Sequence, residues 1–379
     1  MAFDIPLFDL NFDEREAEAV AETVRSKWIS MGQKTVELEQ RFAQRLGVKH
    51  VIAVTNCTAA LHMACVLADL KPGDEVIVPS LTFVATANAV RYTGATPVFA
   101  DIISSRNLNL DPDDVVRKIT PRTRAILPMH FGGFPCQMER FVEIADENRL
   151  VLIEDAAHTI DVDYHGRKLG TWGRFGCFSF FSNKVITCAE GGLLTTDDDA
   201  LAKRAKLIRS HGMTTLSYQR AQGHATRYDV VESGWNYRID DIRASLALVQ
   251  ESKLDDVLSN RRQKRKLYEK ALADVSGIII PFAGTSEGSA NYIMPIVLDG
   301  GGEVRRDAVR DFLAEKGIQT SVHYPAIHRF SIYSGNHDLP TTDYVTDHLI
   351  TLPMYDSLTE EQIVRVADTL KQAINSVTV

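Results

Sequence analysis

A chain of 379 residues with 45% hydrophobic side chains is long enough for one large core plus a second, smaller domain, which excludes a small peptide-binding module. Its 42 Lys and Arg against 50 Asp and Glu give a formal charge of −8, so no basic field draws it to nucleic acid or anionic lipid, and an anionic substrate needs locally placed donors. The five cysteines, Cys57, Cys65, Cys136, Cys177 and Cys188, are odd in number and lack a Cys-x-x-Cys pair, so they read as reduced thiols of a cytoplasmic protein with no zinc site.

Met1 to Phe12 alternates acidic and apolar residues without the basic start and apolar run of a signal peptide, and no later stretch approaches 18 uninterrupted apolar residues. The expectation is a soluble, unprocessed chain. Short apolar, β-branched runs then recur between helix-length segments, at Ala53 to Thr55, Glu75 to Pro79, Thr96 to Asp101, Arg124 to His130, Leu150 to Asp155, Cys177 to Phe181 and Gly192 to Thr196. This is an α/β alternation. Runs apolar on both faces, such as Leu150-Val151-Leu152-Ile153, suit strands covered on two sides in a mostly parallel sheet, with function at the strand carboxyl ends. From Asp240 to Asp274 the pattern becomes helical, with Leu246, Val249, Leu254, Val257, Leu267 and Leu272 in a loose helical period among charges. A boundary near residue 252 follows, giving a large domain over 1–252 and a smaller α+β domain over 253–379. In the latter, Tyr292 to Leu298 reads as a strand, Asp299 to Gly302 as a turn, Val304 to Lys316 as a helix ended by Gly317, and Thr359 to Ile374 as a closing helix.

The run ending Ile153-Glu154-Asp155 brings carboxylates to the edge of the sheet, and the next run leads into Ser182-Asn183-Lys184. A lysine and a carboxylate at adjacent strand ends are what pyridoxal 5′-phosphate (PLP) chemistry needs: the lysine forms an imine, and the acid keeps the pyridine nitrogen protonated so that the ring accepts electrons. An exposed ion pair at the sheet edge is the plain alternative. Asn56-Cys57-Thr58, between the first strand and a helix beginning Ala59-Ala60-Leu61-His62, makes a junction suited to phosphate, although Asn and Thr also cap helices with no ligand. Ser179 can add a hydroxyl to the same phosphate or bond only to backbone, and Phe83 can stack on a flat ring or sit in the core.

Together these segments resemble the DegT/StrS-type sugar aminotransferases of the fold-type I PLP enzymes. The resemblance rests on Trp28-Ile29-Ser30-Met31-Gly32, Asn56 to Leu61, Pro79-Ser80-Leu81-Thr82-Phe83, Glu154-Asp155-Ala156-Ala157-His158, Ser179 to Lys184 with Glu190-Gly191-Gly192, Gly234-Trp235-Asn236-Tyr237-Arg238, and His323-Tyr324-Pro325. Their order runs through nearly the whole chain. It implies a mostly parallel seven-stranded sheet in the large domain, with Lys184 as the Schiff-base lysine, Asp155 as partner of the pyridine nitrogen and His158 as partner of the cofactor's 3-hydroxyl. It further implies that Asn56, Cys57, Thr58 and Ser179 form the phosphate cup, that Phe83 covers the ring, and that Asn236 reaches the neighbouring subunit's phosphate in a homodimer with shared sites. Cys57 stands where Gly is frequent and His158 where Gln is frequent. Lys184, where deaminating dehydratases of the family have His, argues for amino transfer.

The expected activity is transfer of an amino group from an amino acid, L-glutamate, to C4 of a nucleotide-diphosphate-linked keto-sugar, as in polysaccharide biosynthesis. His323, Tyr324 and His328 are the substrate-side candidates, with Arg329 and Arg238 as further cations for the diphosphate. The alternatives are an aminotransferase for a non-nucleotide ketone of the inosose type, and a non-catalytic regulatory protein on the same scaffold.

Overall fold

The apolar runs pair edge to edge. The computed structural model describes residues 3–215 and 227–377. Its main sheet contains β1 (His50–Val54), β2 (Glu75–Pro79), β3 (Thr96–Ala100), β4 (Thr123–Ile126), β5 (Val151–Asp155), β6 (Phe175–Ser179) and β7 (Gly192–Thr196). The order is β1-β7-β6-β5-β4-β2-β3. β7 runs antiparallel to both neighbours, and the remaining neighbours pair in parallel. This is the α/β, fold-type I arrangement that the sequence led us to expect.

Alternate residues of each strand feed two cores. Ile77 and Leu152 pack on one side of the sheet, Val76, Val78 and Ile153 on the other. A strand buried on both faces gains about 1.5–3 kcal/mol from each large aliphatic side chain, so a continuous apolar run is its natural sequence. The helix Gln33–Leu46 covers one side with Leu38, Phe42 and Leu46. The helix Cys57–Leu67 is buried along nearly its whole length on the other, where its small Ala and Cys residues permit close approach.

Two strands differ from the expected spans in an informative way. β6 starts two residues earlier than Cys177 and leaves the ladder after Ser179. Gly176 is a position of close approach, because a Cβ there would lie 1.9 Å from the Gly170 carbonyl oxygen. The Arg124–His130 run forms ladder pairs only to Ile126 and continues as extended chain, with Met129 bridged to Asp155.

The expected helical stretch from 240 to 274 is two helices, Asp241–Ser252 and Leu254–Ala271, with the break at Lys253. We propose this break as the start of the smaller unit. Lys253 is buried there, its Nζ 2.9 Å from the Asn11 carbonyl oxygen and 2.6 Å from Glu16 Oε1. Beyond it, β8 (Ile278–Ile279), β9 (Met294–Leu298) and β10 (Leu349–Leu352) form an antiparallel sheet. The helices Gly302–Glu315 and Glu360–Ser376 pack their apolar faces on it. Gly317 ends the first in the left-handed region (φ +77°), and Thr359 caps the second in a capping box with Gln362. Ile5 returns to this core, paired through its backbone with Gly317 and Gln319. Among the described residues no helix is long and apolar enough to cross a membrane.

The two units meet through a buried carboxylate. Asp101, directly after β3, accepts hydrogen bonds from the Thr341 N–H (3.0 Å), the Thr342 N–H (2.7 Å) and the Thr342 hydroxyl (2.6 Å), and so caps the helix Pro340–His348. Asp101→Ala leaves these donors without their acceptor. It should destabilise the protein by about 2 kcal/mol, read as a lowered urea midpoint, while Asp101→Asn, which keeps one acceptor oxygen, should lose less than half as much.

Candidate active site

β5 and β6 are parallel neighbours, so Asp155 and Ser179 emerge at the same edge of the sheet, and the turn after Ser179 carries Lys184 back over it. The period of two along β5 sends the adjacent carboxylates to opposite faces. Glu154 is fully buried away from the site, where it accepts from the Gly170 and Gly173 N–H groups at 2.8 and 2.7 Å and contacts His130 Nε2 at 3.0 Å. Asp155 faces a cavity of about 400 Å³. Its Oδ2 accepts from the Thr86 hydroxyl at 2.7 Å and its Oδ1 from the Ala157 N–H at 3.1 Å, while the Thr82 hydroxyl stands 2.8 Å behind Thr86. Burial pushes the Asp155 carboxyl above its ordinary value, against these donors and the positive charge of Lys184.

Lys184 lines the same cavity, with Nζ 4.4 Å from the centre of the Tyr292 ring. Burial lowers its ammonium to about 8, opposed by the nearby Cys57 and Asp155. Among the described residues lining the cavity it is the one lysine or arginine.

Asn56, Cys57, Thr58 and Ser179 line the same cavity. Asn56 caps the helix Cys57–Leu67 by accepting the Ala59 N–H at 2.8 Å, whereas the first-turn N–H groups of Cys57 and Thr58 have no carbonyl to bond within the helix. The helix reaches this close to the sheet because residue 192 is glycine. A Cβ there would lie 2.6 Å from the Asn56 carbonyl carbon and 2.7 Å from the Cys57 nitrogen. Burial pushes the Cys57 thiol well up, leaving a small neutral wall. A helix N-terminus for a phosphate, a lysine amine for an aldehyde and a buried carboxylate for a ring nitrogen in one cavity fit PLP.

His158 is buried, with its Nδ1 3.2 Å from the Gly132 nitrogen and its Nε2 2.7 Å from the Tyr324 hydroxyl. Phe83 stands half-exposed on the cavity rim, 6.0 Å from the Tyr324 ring. His323 also lines the cavity, its Nδ1 3.1 Å from the Thr351 hydroxyl, and burial together with the charge of Lys184 lowers it to about 4.

Four expected residues lie elsewhere. His328 is not among the cavity lining: Ile327, two residues past the proline, is buried in a core, and this draws His328 onto Ser80 (2.7 Å) and Asp343 (3.3 Å). That Ser-His-Asp row has no room for a substrate, since Ser80 is fully buried, and it acts as a clasp between the two units. Arg329 is engaged by Asp343 and Asp347. Asn236 and Arg238 lie outside this chain's own cavity, in bridges to Ser210 and Val54, and Arg238 Nη1 is buried without a hydrogen-bond partner. Sequence reasoning missed Thr86 and Tyr292. The first stands one helical turn from Thr82, and the second arrives from the smaller unit with no local signal. Among the described residues no group of three or more His, Cys, Asp or Glu side chains is placed to hold a metal ion.

The sequence profile of the DegT/DnrJ/EryC1/StrS aminotransferase family matches residues 11–371. The spore coat polysaccharide biosynthesis protein SpsC of Bacillus subtilis is 34% identical over 382 residues, covering 99% of this chain and 97% of SpsC. Among solved structures, PseC of Helicobacter pylori, an aminotransferase involved in the biosynthesis of pseudoaminic acid, superposes with a TM-score of 0.91 at 26% identity, covering 100% of both chains. The PLP form of Spr1654 from Streptococcus pneumoniae does so with a TM-score of 0.91 at 28% identity and the same coverage.

The lowered Lys184 ammonium has a direct consequence. Below about pH 8 its amine is mostly protonated, and above it mostly free. In cofactor-free protein, the rate of Lys184 acylation followed by peptide mapping should have its midpoint at about pH 8 and level off about one to two pH units above, while exposed lysines continue to gain reactivity toward their ordinary value of about 10.4. A Lys184 profile that tracks the exposed lysines refutes the effect of burial.

Proposed function

The chain belongs to the DegT/DnrJ/EryC1/StrS aminotransferase family, a PLP-dependent transaminase, and within it we propose that it transfers an amino group from L-glutamate to C4 of a nucleotide-diphosphate-linked keto-sugar. The observation that carries the amino-transfer reading is the meeting of Lys184, Asp155 and the Cys57 helix N-terminus in one cavity. When bound, PLP supplies an aldehyde that captures an amine and a ring that takes up the electron pair released at the amine-bearing carbon. Lys184 would hold the cofactor through its ε-nitrogen, and its amine, brought toward neutral pH by burial, would serve as the acid/base that moves the proton of the donor's α-carbon. Asp155 holds a proton at the ring nitrogen, and a cation there offsets the burial that raises this carboxyl. Asn56, Cys57, Thr58 and Ser179 bind the phosphate, Phe83 covers the ring, and His158 serves the 3-oxygen side. Two half-reactions follow, the first releasing a 2-keto acid and the second aminating the ketone.

For the substrate, SpsC and PseC both belong by description to saccharide or sugar-acid biosynthesis, which supports a sugar ketone. His323 and Tyr324 stand on the substrate side. A cavity in which Lys184 is the one lysine or arginine among the described residues must find further charge for a diphosphate, and a chain of net charge −8 does not supply it by its general field. That supports a homodimer in which Asn236 and Arg238 of a second copy complete each site.

Two measurements test these readings. Enzyme loaded with the amine form of the cofactor and offered ketones singly should return aldehyde absorbance fastest with nucleotide-linked 4-keto-sugars; a free cyclitol ketone or a simple 2-keto acid reacting much faster than all of them replaces this reading with the inosose type. Subunit sharing is tested by mixing Lys184→Ala with an inactive Asn236→Asp protein. Random re-pairing yields one intact site in each mixed dimer, hence recovery of roughly a quarter of wild-type sites, and no recovery after verified exchange rules sharing out.

A further inference from the structure

Gly132 lies in the tight turn Phe131–Gly133 at φ +64°, and its N–H donates to His158 Nδ1 at 3.2 Å. A ring nitrogen that accepts from an amide carries no proton of its own. Burial, with the charges of Lys184 and His323 nearby, pushes His158 well below the ordinary histidine value, so the ring is neutral and its one proton sits on Nε2. That nitrogen stands 2.7 Å from the Tyr324 hydroxyl and donates to it.

The phenol oxygen is thereby an acceptor from His158, and its own proton is left to be donated elsewhere. Burial holds the Tyr324 phenol well above its ordinary value, so it stays protonated. Neighbours fix both rings. His158 packs against Tyr292 at 4.5 Å and stacks with Tyr324 at 5.7 Å between ring centres, and the Tyr324 carbonyl accepts from the Thr346 hydroxyl at 2.9 Å. The three donors Gly132 N–H, His158 Nε2–H and Tyr324 O–H thus form one directed row ending in the cavity lined by Tyr324, Lys184 and Asp155.

Such a row ends in a protonated phenol, which presents a donor and is a poor base. It serves an acceptor oxygen that bears negative charge, as the ring oxygen of PLP beside the aldehyde carbon does. We infer that Tyr324 donates the hydrogen bond to the 3-oxygen of the bound cofactor and that His158 is a positioning residue acting through Tyr324. This rests on the reading of the cavity as the PLP site, and it gives Tyr324 a cofactor contact in place of a purely substrate-side one.

The test compares the affinity of cofactor-free wild type and Tyr324→Phe for PLP and for its 3-deoxy analogue, which lacks the acceptor oxygen. The variant should bind PLP about tenfold more weakly and the analogue as wild type does. Adding His158→Phe to Tyr324→Phe should weaken PLP binding no further, since the histidine acts through the missing hydroxyl. Equal weakening of both ligands, or of neither, overturns the inference. The ¹⁵N spectrum of His158 in the wild-type protein at pH 7 gives an independent reading: a neutral ring protonated on Nε2 is expected, and a proton on Nδ1 or an imidazolium overturns it. Borohydride reduction of the wild-type protein with PLP separates the two levels. Label on a lysine other than Lys184 removes the cofactor reading itself, whereas label on Lys184 with an indifferent Tyr324→Phe removes only the role of the tyrosine.

Discussion

Asp155 is a carboxylate kept out of water at the end of a central strand, and the free-energy cost of keeping it charged organises what surrounds it. Each of its oxygens receives a donor, Thr86 on one side and the Ala157 N–H on the other, because an unpaired buried carboxylate neutralises instead. The same burial acts on Lys184 with the opposite sign. Its amine is released closer to neutral pH while the carboxyl is held upward, which brings the proton affinities of the two groups nearer to one another.

The strand geometry explains why one carboxylate of the Glu154-Asp155 pair is chemical and the other structural. Glu154, one residue away and on the other face, gathers the backbone N–H groups of the 170–173 loop, and Gly176 lets that loop lie directly against β6. Gly192 does the same for the Cys57 helix. Gly192 therefore sets how close the Cys57 helix stands to the sheet, and Gly176 how close the 170–173 loop lies on the Glu154 face, since any Cβ at either position would collide with backbone.

The cavity is built across two units. Tyr292, His323 and Tyr324 come from the C-terminal third of the chain and meet Lys184 where the two units are joined, by Asp101 on the helix Pro340–His348, by Ser80 on His328 and by the Tyr292 N–H donating to the Gly132 carbonyl. The histidine expected to touch substrate is thus part of what fixes the neighbouring Tyr324 in place. In a chain whose net charge is negative, a cavity with one cation is suited to a cofactor phosphate bound by N–H groups, and an additional diphosphate calls for cations from beyond it.

The amino-acid sequence by itself determined the alternation of strands and helices, the span of β2 and β7, the closing helix, and the arrival of Asp155 and Lys184 at neighbouring strand ends. These are legible because burial on two faces demands continuous apolar runs, caps demand particular residues, and a motif keeps its chemistry in a short stretch of chain. It placed β6 two residues late, since the close approach of the Gly170 loop that includes Gly176 in the strand is a tertiary contact. The hairpins Ile102–Ser104 with Asn107–Leu110 and Asp163–Tyr164 with Arg167–Lys168 left no mark, being too short to show a period. Tertiary structure alone decided that His328 turns to Ser80, that Thr86 supports Asp155, and that Gly132, His158 and Tyr324 stand in a row. Each of those contacts joins residues whose meeting depends on how separate elements pack, and hydrogen-bond direction is a property of that meeting which neither residue carries alone.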